Sequence, residues 1–298
     1  MRITSRACDD EELKEAVLSS DSDTVSLSGR RDTHLLHTLL YIVAGILFCI
    51  AVWWAFAAVY NSFISTSIEF PTPPEVFGRL GAFIAGGFSV LGSDIMVHLG
   101  YSLKRWAEGF LIAFVLGAAI GIAMGSDDRI YRFASVPVNI LQMIPGLAWY
   151  PVVILLFGLG ENSAIFIISI TAISPIAIGL CSGIRRVPEV NRRVAQMCGK
   201  TRAETFVEVS LPFASIDLIN GVRIGMANAW RMLIAAEMIV GVAVGLGYAI
   251  QIETAYLDYT SAFACIVLIC IIGLVIDKVV LANIENYMSR RLGLEVSE

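Results

Sequence analysis

The chain has 298 residues, 57% hydrophobic and only 16% charged, with a net charge of −5 and a mean hydropathy of +0.75. Soluble domains carry about 25% charged residues. Here the deficit is uneven: long stretches hold almost no charge, while residues 1–37 and 185–208 hold many. That alternation excludes an ordinary soluble domain and fits spans separated by polar loops. The acidic balance gives no reason to expect a nucleic-acid partner. The six cysteines (Cys8, Cys49, Cys181, Cys198, Cys265 and Cys270) form no C-x-x-C pair and have no metal-ligand spacing, so no metal site is expected.

In chain order, residues 1–37 read as a disordered cytoplasmic leader; their D-D-E-E-L-K-E run is acidic where a signal peptide is basic. Six apolar segments then have the roughly 20 residues a span needs: 38–60, 103–124, 135–157, 163–184, 215–241 and 262–284. The first span carries an aromatic belt of Trp53, Trp54 and Tyr60. Between it and the second lies an outer segment, 61–102, whose proline-rich part 70–92 is too short to cross and reads as a surface helix. The third span is interrupted by Pro145 and Pro151, as a broken helix lining a cavity would be. Residues 103–284 thus form a five-helix core, and 285–298 a cytoplasmic tail.

Basic residues orient these spans. With both termini inside, the cytoplasmic parts hold Arg30, Arg31, Arg129, Arg132, Arg185, Arg186, Arg192 and Arg193 among others, and the outer loops hold Arg79 alone. The loop 185–212 is therefore cytoplasmic. It is polar, suited to two short helices cornered at Gly199 and stopped by Pro212, and would make a rigid knob for a soluble partner. Its Gly199-Lys200-Thr201 ends like a phosphate-binding loop, but Val194 stands where that motif needs glycine and no strand precedes it. ATP hydrolysis in this chain is not expected.

Within the spans, Gly117, Gly121 and Gly125, and again Gly221, Gly225 and Ala229, recur every four residues and predict close helix packing. Arg223, Trp230 and Glu237 recur every seven, so they share one stripe that cannot face lipid. Two readings stand for it: an ion pair within the bundle or across a dimer, or contact with substrate. Arg231 points elsewhere and reads as snorkelling toward a polar region. Lys104 and Arg105, near the outer end of the second span, read as interface anchors or as charges that attract an anion. Gln142, Pro145, Gly146 and Trp149 mark a constriction or a plain structural kink. Gly245, Gly247 and Tyr248 read as a short outer or re-entrant turn.

The spacing Ala195, Gly199, then nine residues to Val209-Ser210-Leu211-Pro212 resembles the cytoplasmic signature of ABC importer permeases, Glu-Ala-Ala-x3-Gly-x9-Ile-x-Leu-Pro. The leading glutamate is absent; Arg193-Val194-Ala195 stands there. I-P-G-L-A-W-Y-P-V-V-I-L-L-F-G-L-G-E (144–161), N-G-V-R-I-G-M-A-N-A-W-R-M-L-I-A-A-E-M-I (220–239), F-P-T-P-P-E-V (70–76) and G-L-G-Y (245–248) are similar to the nitrate, sulfonate, taurine and bicarbonate branch.

The resemblance implies an all-α membrane protein of the type I importer class, with six transmembrane helices and a cytoplasmic coupling-helix loop. It implies that Ala195, Gly199, Lys200, Thr201, Val209, Leu211 and Pro212 couple to a separate ATPase that binds ATP and Mg²⁺. It also implies an external substrate-binding protein and a second permease copy. Gln142, Pro145, Trp149, Arg223, Trp230 and Glu237 are the candidate pathway residues. An ion-coupled secondary transporter is the alternative, but no internal repeat is visible. A membrane enzyme would need a clustered reactive set, and His34, His37 and His98 form none within a span.

Overall fold

The computed structural model describes residues 40–63, 69–86, 89–90, 93–281 and 283. They fall into two compact units divided after Pro73. The leader 1–37 and the tail 285–298 lie outside the described residues.

The first unit contains helix α1, Leu40–Phe63. Ala57 is its one buried residue, so it presents apolar surface all round, as a helix solvated by lipid does. Near its end the Asn61 side chain donates to the Phe70 carbonyl (3.1 Å) and accepts from the Phe70 amide (2.8 Å). Trp53 Nε1 donates to the Pro71 carbonyl at 3.1 Å.

Helix α2, Pro73–Ile84, begins at the boundary and, but for Pro73, belongs to the second unit; it fulfils the expected short helix within 70–92. Its prolines occupy the first turn, where no intrahelical donor is needed. Val76, Leu80 and Phe83 line one buried face. A ribbon of two short strands, β1 (Ser89–Val90) and β2 (Ser93–Asp94), follows. Asp94 then caps α3, Ile95–Ser126, by accepting from the Met96 amide. This span starts eight residues before the expected Leu103, because Asp94 supplies the cap and the polar groups of the first turns find buried partners.

Three helices make the frame: α3, α6 (Glu161–Arg186) and α9 (Leu211–Ile239). The four-residue glycine repeats are their contact lines. A Cβ on Gly117 or Gly121 would lie 2.8 or 2.7 Å from the carbonyl oxygens of Ile173 or Ala177. One on Gly221 would lie 2.6 Å from that of Pro175. On α3, Gly109 meets Ile168 and Gly125 meets Ile184, so α3 and α6 run parallel. Gly183 meets Ala214 and Ala172 meets Gly225, so α9 runs antiparallel to α6.

Between α3 and α6 the chain forms α4 (Asp128–Met143) and α5 (Tyr150–Phe157), bent from each other by 100°. The bend is written in the sequence. Ile144 precedes a proline and takes an extended conformation, and Gly146–Trp149 turns as a short 3₁₀ segment. Beyond α9 come α10 (Leu246–Ala255) and α11 (Tyr259–Val275), the latter ending in a π-helical stretch, Ile276–Leu281. Helix α10 replaces the simple turn expected around Gly247. Among the described residues, five helices are long and apolar enough to cross a membrane, and six crossings result if the bent pair counts as one.

Candidate functional site

At one end of the frame, between α6 and α9, a small module projects. Helix α7, Glu189–Met197, contains no buried residue. It ends in a Schellman turn: the Lys200 amide donates to the Ala195 carbonyl (3.1 Å) and the Gly199 amide to that of Gln196 (3.0 Å). Gly199 holds φ at +79°, the left-handed region that favours glycine. Thr201 and Glu204 form a capping box that opens α8, Arg202–Thr205. Lys200 pairs with Glu208 at 2.8 Å, and that carboxylate raises the Lys200 pKa above its ordinary value.

The expected stop at Pro212 does not occur. Helical winding continues from Arg202 into α9 through a π-helical turn, Phe206–Ser210, and Pro212 sits in the first turn of α9. The wider turn accommodates a residue that lacks an amide donor and whose ring would strike the preceding turn. Leu211 packs against Leu180, Ile184 and Ala214. Ala195, Gly199, Lys200 and Thr201 thus belong to the projecting knob, whereas Val209, Leu211 and Pro212 belong to its root. Val190, Val194 and Met197, spaced i, i+4, i+7, form an exposed apolar stripe on α7. That spacing was legible in the loop and is absent from the signature residues.

The opposite end holds a buried polar latch. Glu237, fully buried, accepts from Ser102 Oγ (2.8 Å), Arg105 Nη1 (2.7 Å) and the Gly247 amide (2.9 Å). Arg105 also donates to the Val244 carbonyl (2.6 Å) and reaches Glu161 at 3.0 Å. Leu246 N–H donates to Ser102 Oγ at 2.8 Å, and His98 Nδ1 lies 3.1 Å from both the amide and the carbonyl of Gly245. The latch joins α3, α6, α9 and the start of α10.

Arg105 is therefore no interface anchor; it is 2% exposed between two carboxylates. Lys104 does remain outside, beside Glu108. Of the stripe, Trp230 and Glu237 are buried in the bundle and Arg223 is half-buried, and its two charges do not pair with each other. Arg223 lies 3.6 Å from Asp277, and Trp230 meets the edge of Trp106.

The remaining candidates gather at the α4–α5 bend. Gln142 and Pro145 are exposed, Gly146 is buried against Thr171 and Met232, and Trp149 packs beside Val153 and Ile167.

A frame of long apolar helices with a sharply bent helix pair, a projecting helical module and a buried charge latch has the architecture of a multi-span membrane protein. Residues 113–291 match the family described as binding-protein-dependent transport system inner membrane component, and the chain belongs to that family. It is a membrane-embedded permease subunit of an ABC importer. The taurine transport system permease protein TauC of Escherichia coli is 30% identical, over 76% of this chain and 81% of that protein. The nitrate import permease protein NrtB of Synechocystis is 32% identical, over 70% and 76%. The bicarbonate transport system permease protein CmpB of Synechococcus elongatus is 29% identical, over 86% and 92%. Among solved structures, the MetNI methionine ABC transporter matches in fold with a TM-score of 0.55 at 20% identity, over 66% of this chain and 95% of that one. An amino acid ABC transporter matches at 0.56 and 16% identity, over 74% and 100%.

Proposed function

We propose that this subunit forms the translocation pathway for a small anion or organic oxyanion of the nitrate, sulfonate, taurine or bicarbonate type. The substrate class rests on the carriers named among its relatives. A separate ATPase, which binds ATP and Mg²⁺, docks on residues 189–201, and an external binding protein delivers substrate. Two copies of the chain assemble around the pathway, with both termini in the cytoplasm. Closure of the ATPase moves the knob as a rigid body and shifts the bundle between inward- and outward-open populations.

One observation carries the docking assignment: the exposed Val190, Val194 and Met197 stripe on a module whose root is packed into the frame. The test is co-purification of the ATPase with this chain. Gly199→Pro, incompatible with φ of +79°, should abolish it while the protein still inserts and melts cooperatively. Uptake that persists without ATP and collapses with the ion gradient would replace this reading with an ion-coupled carrier.

A further inference from the structure

We infer that Arg231, held by Asn228, is the anion-binding and charge-selecting residue of the pathway. This rests on the reading of the chain as an anion permease. Arg231 lies on α9 about 30 Å along the helix from Leu211 and about 12 Å before Ile239, by helical rise. Its neighbour Met232 packs on Gly146 and so fixes its depth at the α4–α5 bend. The side chain does not snorkel to the near end. It folds back toward the middle of the span, Nε donating to the Ala227 carbonyl (3.1 Å) and Nη2 to Asn228 Oδ1 (2.7 Å).

Arg231 is exposed, on a face of α9 that also carries Asn220, Ile224 and Ala227. A guanidinium at that depth facing lipid is costly, so this face borders water or another polar surface. A carboxylate is not the natural occupant. Among the described residues Arg231 has no acidic partner, and those of the spans are engaged elsewhere. Glu108 faces Lys104, Asp128 faces Arg185, Asp217 faces Arg186 and Asp277 faces Arg223. Glu161 and Glu237 share Arg105. The remaining outward donors of the planar guanidinium suit a bidentate oxyanion.

The test uses the full chain with its partners in membrane vesicles. Ala227→Cys places a thiol one turn from Arg231, and its modification is read at that residue by mass spectrometry, apart from the native cysteines. Reagents are anionic sulfonatoethyl and cationic trimethylammonioethyl methanethiosulfonate. The anionic reagent should react preferentially, and adding Arg231→Gln should lower the anionic-to-cationic rate ratio at least about tenfold. Arg231→Lys, which keeps the charge, should retain the preference. Nitrate, bicarbonate or taurine, tested singly against chloride at equal ionic strength, should slow the anionic reaction, and only while Arg231 is present. A thiol inert to both reagents, a ratio unmoved by Arg231→Gln, or no protection by any of the three solutes overturns the assignment. ATPase association measured on the same preparations reads the parent proposal separately.

Discussion

Glu237 shows what a carboxylate needs in order to be held inside a bundle. Its oxygens are taken up by a hydroxyl, a guanidinium and a backbone amide, so neither is left unpaired. Removing one ion strands the other. Arg105→Ala should cost about 3–5 kcal/mol, seen as a large fall in thermal midpoint of the purified protein. The double change to Met at Arg105 and Glu237 should cost less than either single change, because no buried charge is left alone.

Glu253 makes a different case, outside the spans. Burial pushes its carboxyl above the usual range, Asp258 adds to the rise and Arg79 opposes it. The folded state thus holds this proton more tightly than the unfolded one. The associated stability is present below the ordinary glutamate pKa and is lost as pH rises through the folded value. Glu253→Gln should therefore flatten the decline in melting temperature above that range, measured from acidic to neutral pH.

At the level of elements, glycine acts in two distinct ways. Gly199 is needed for its dihedral angle, with open space around it. Gly199→Ala should cost about 1–2 kcal/mol locally and weaken ATPase affinity while leaving the melting of the bundle nearly unchanged. Gly221 is needed for its missing side chain, since α6 backbone fills that place. Gly221→Leu should separate α6 from α9 and destabilise by at least about 1–3 kcal/mol. Gly45 on α1 has nothing within 4 Å of a built Cβ, so Gly45→Leu is the control that should melt like the parent. The π-helical turn before Pro212 is the third device. It lets a proline stand at the root of α9 without ending the helix, which keeps the knob and the span mechanically continuous.

Across the whole molecule, the knob and the latch lie at opposite ends of one antiparallel pair, α6 and α9. The contact between them runs through Gly183, Gly179 and Gly221, where backbones touch and little side-chain slack exists. This arrangement suits rigid-body transmission rather than local deformation.

Much of this architecture was legible beforehand. Runs of apolar residues mark spans because the bilayer sets a length. Pro145 marks the bend and Gly199 marks the corner of the knob; each of these signals is local. The pairings were not legible. Arg105 and Glu237 stand 132 positions apart, and a seven-residue stripe suggests Arg223 as the companion of Glu237, whereas the fold gives it Arg105. Arg231 invited a snorkelling reading until its side chain was seen turned toward the middle of the span. Sequence by itself determined membrane embedding, the long apolar helices, the bend at Pro145 and the cornered loop, because length, periodicity and backbone restriction are properties of short segments. Only the tertiary structure decided which charges neutralise one another and which face stays open, because periodicity says which residues share a face but not what that face meets.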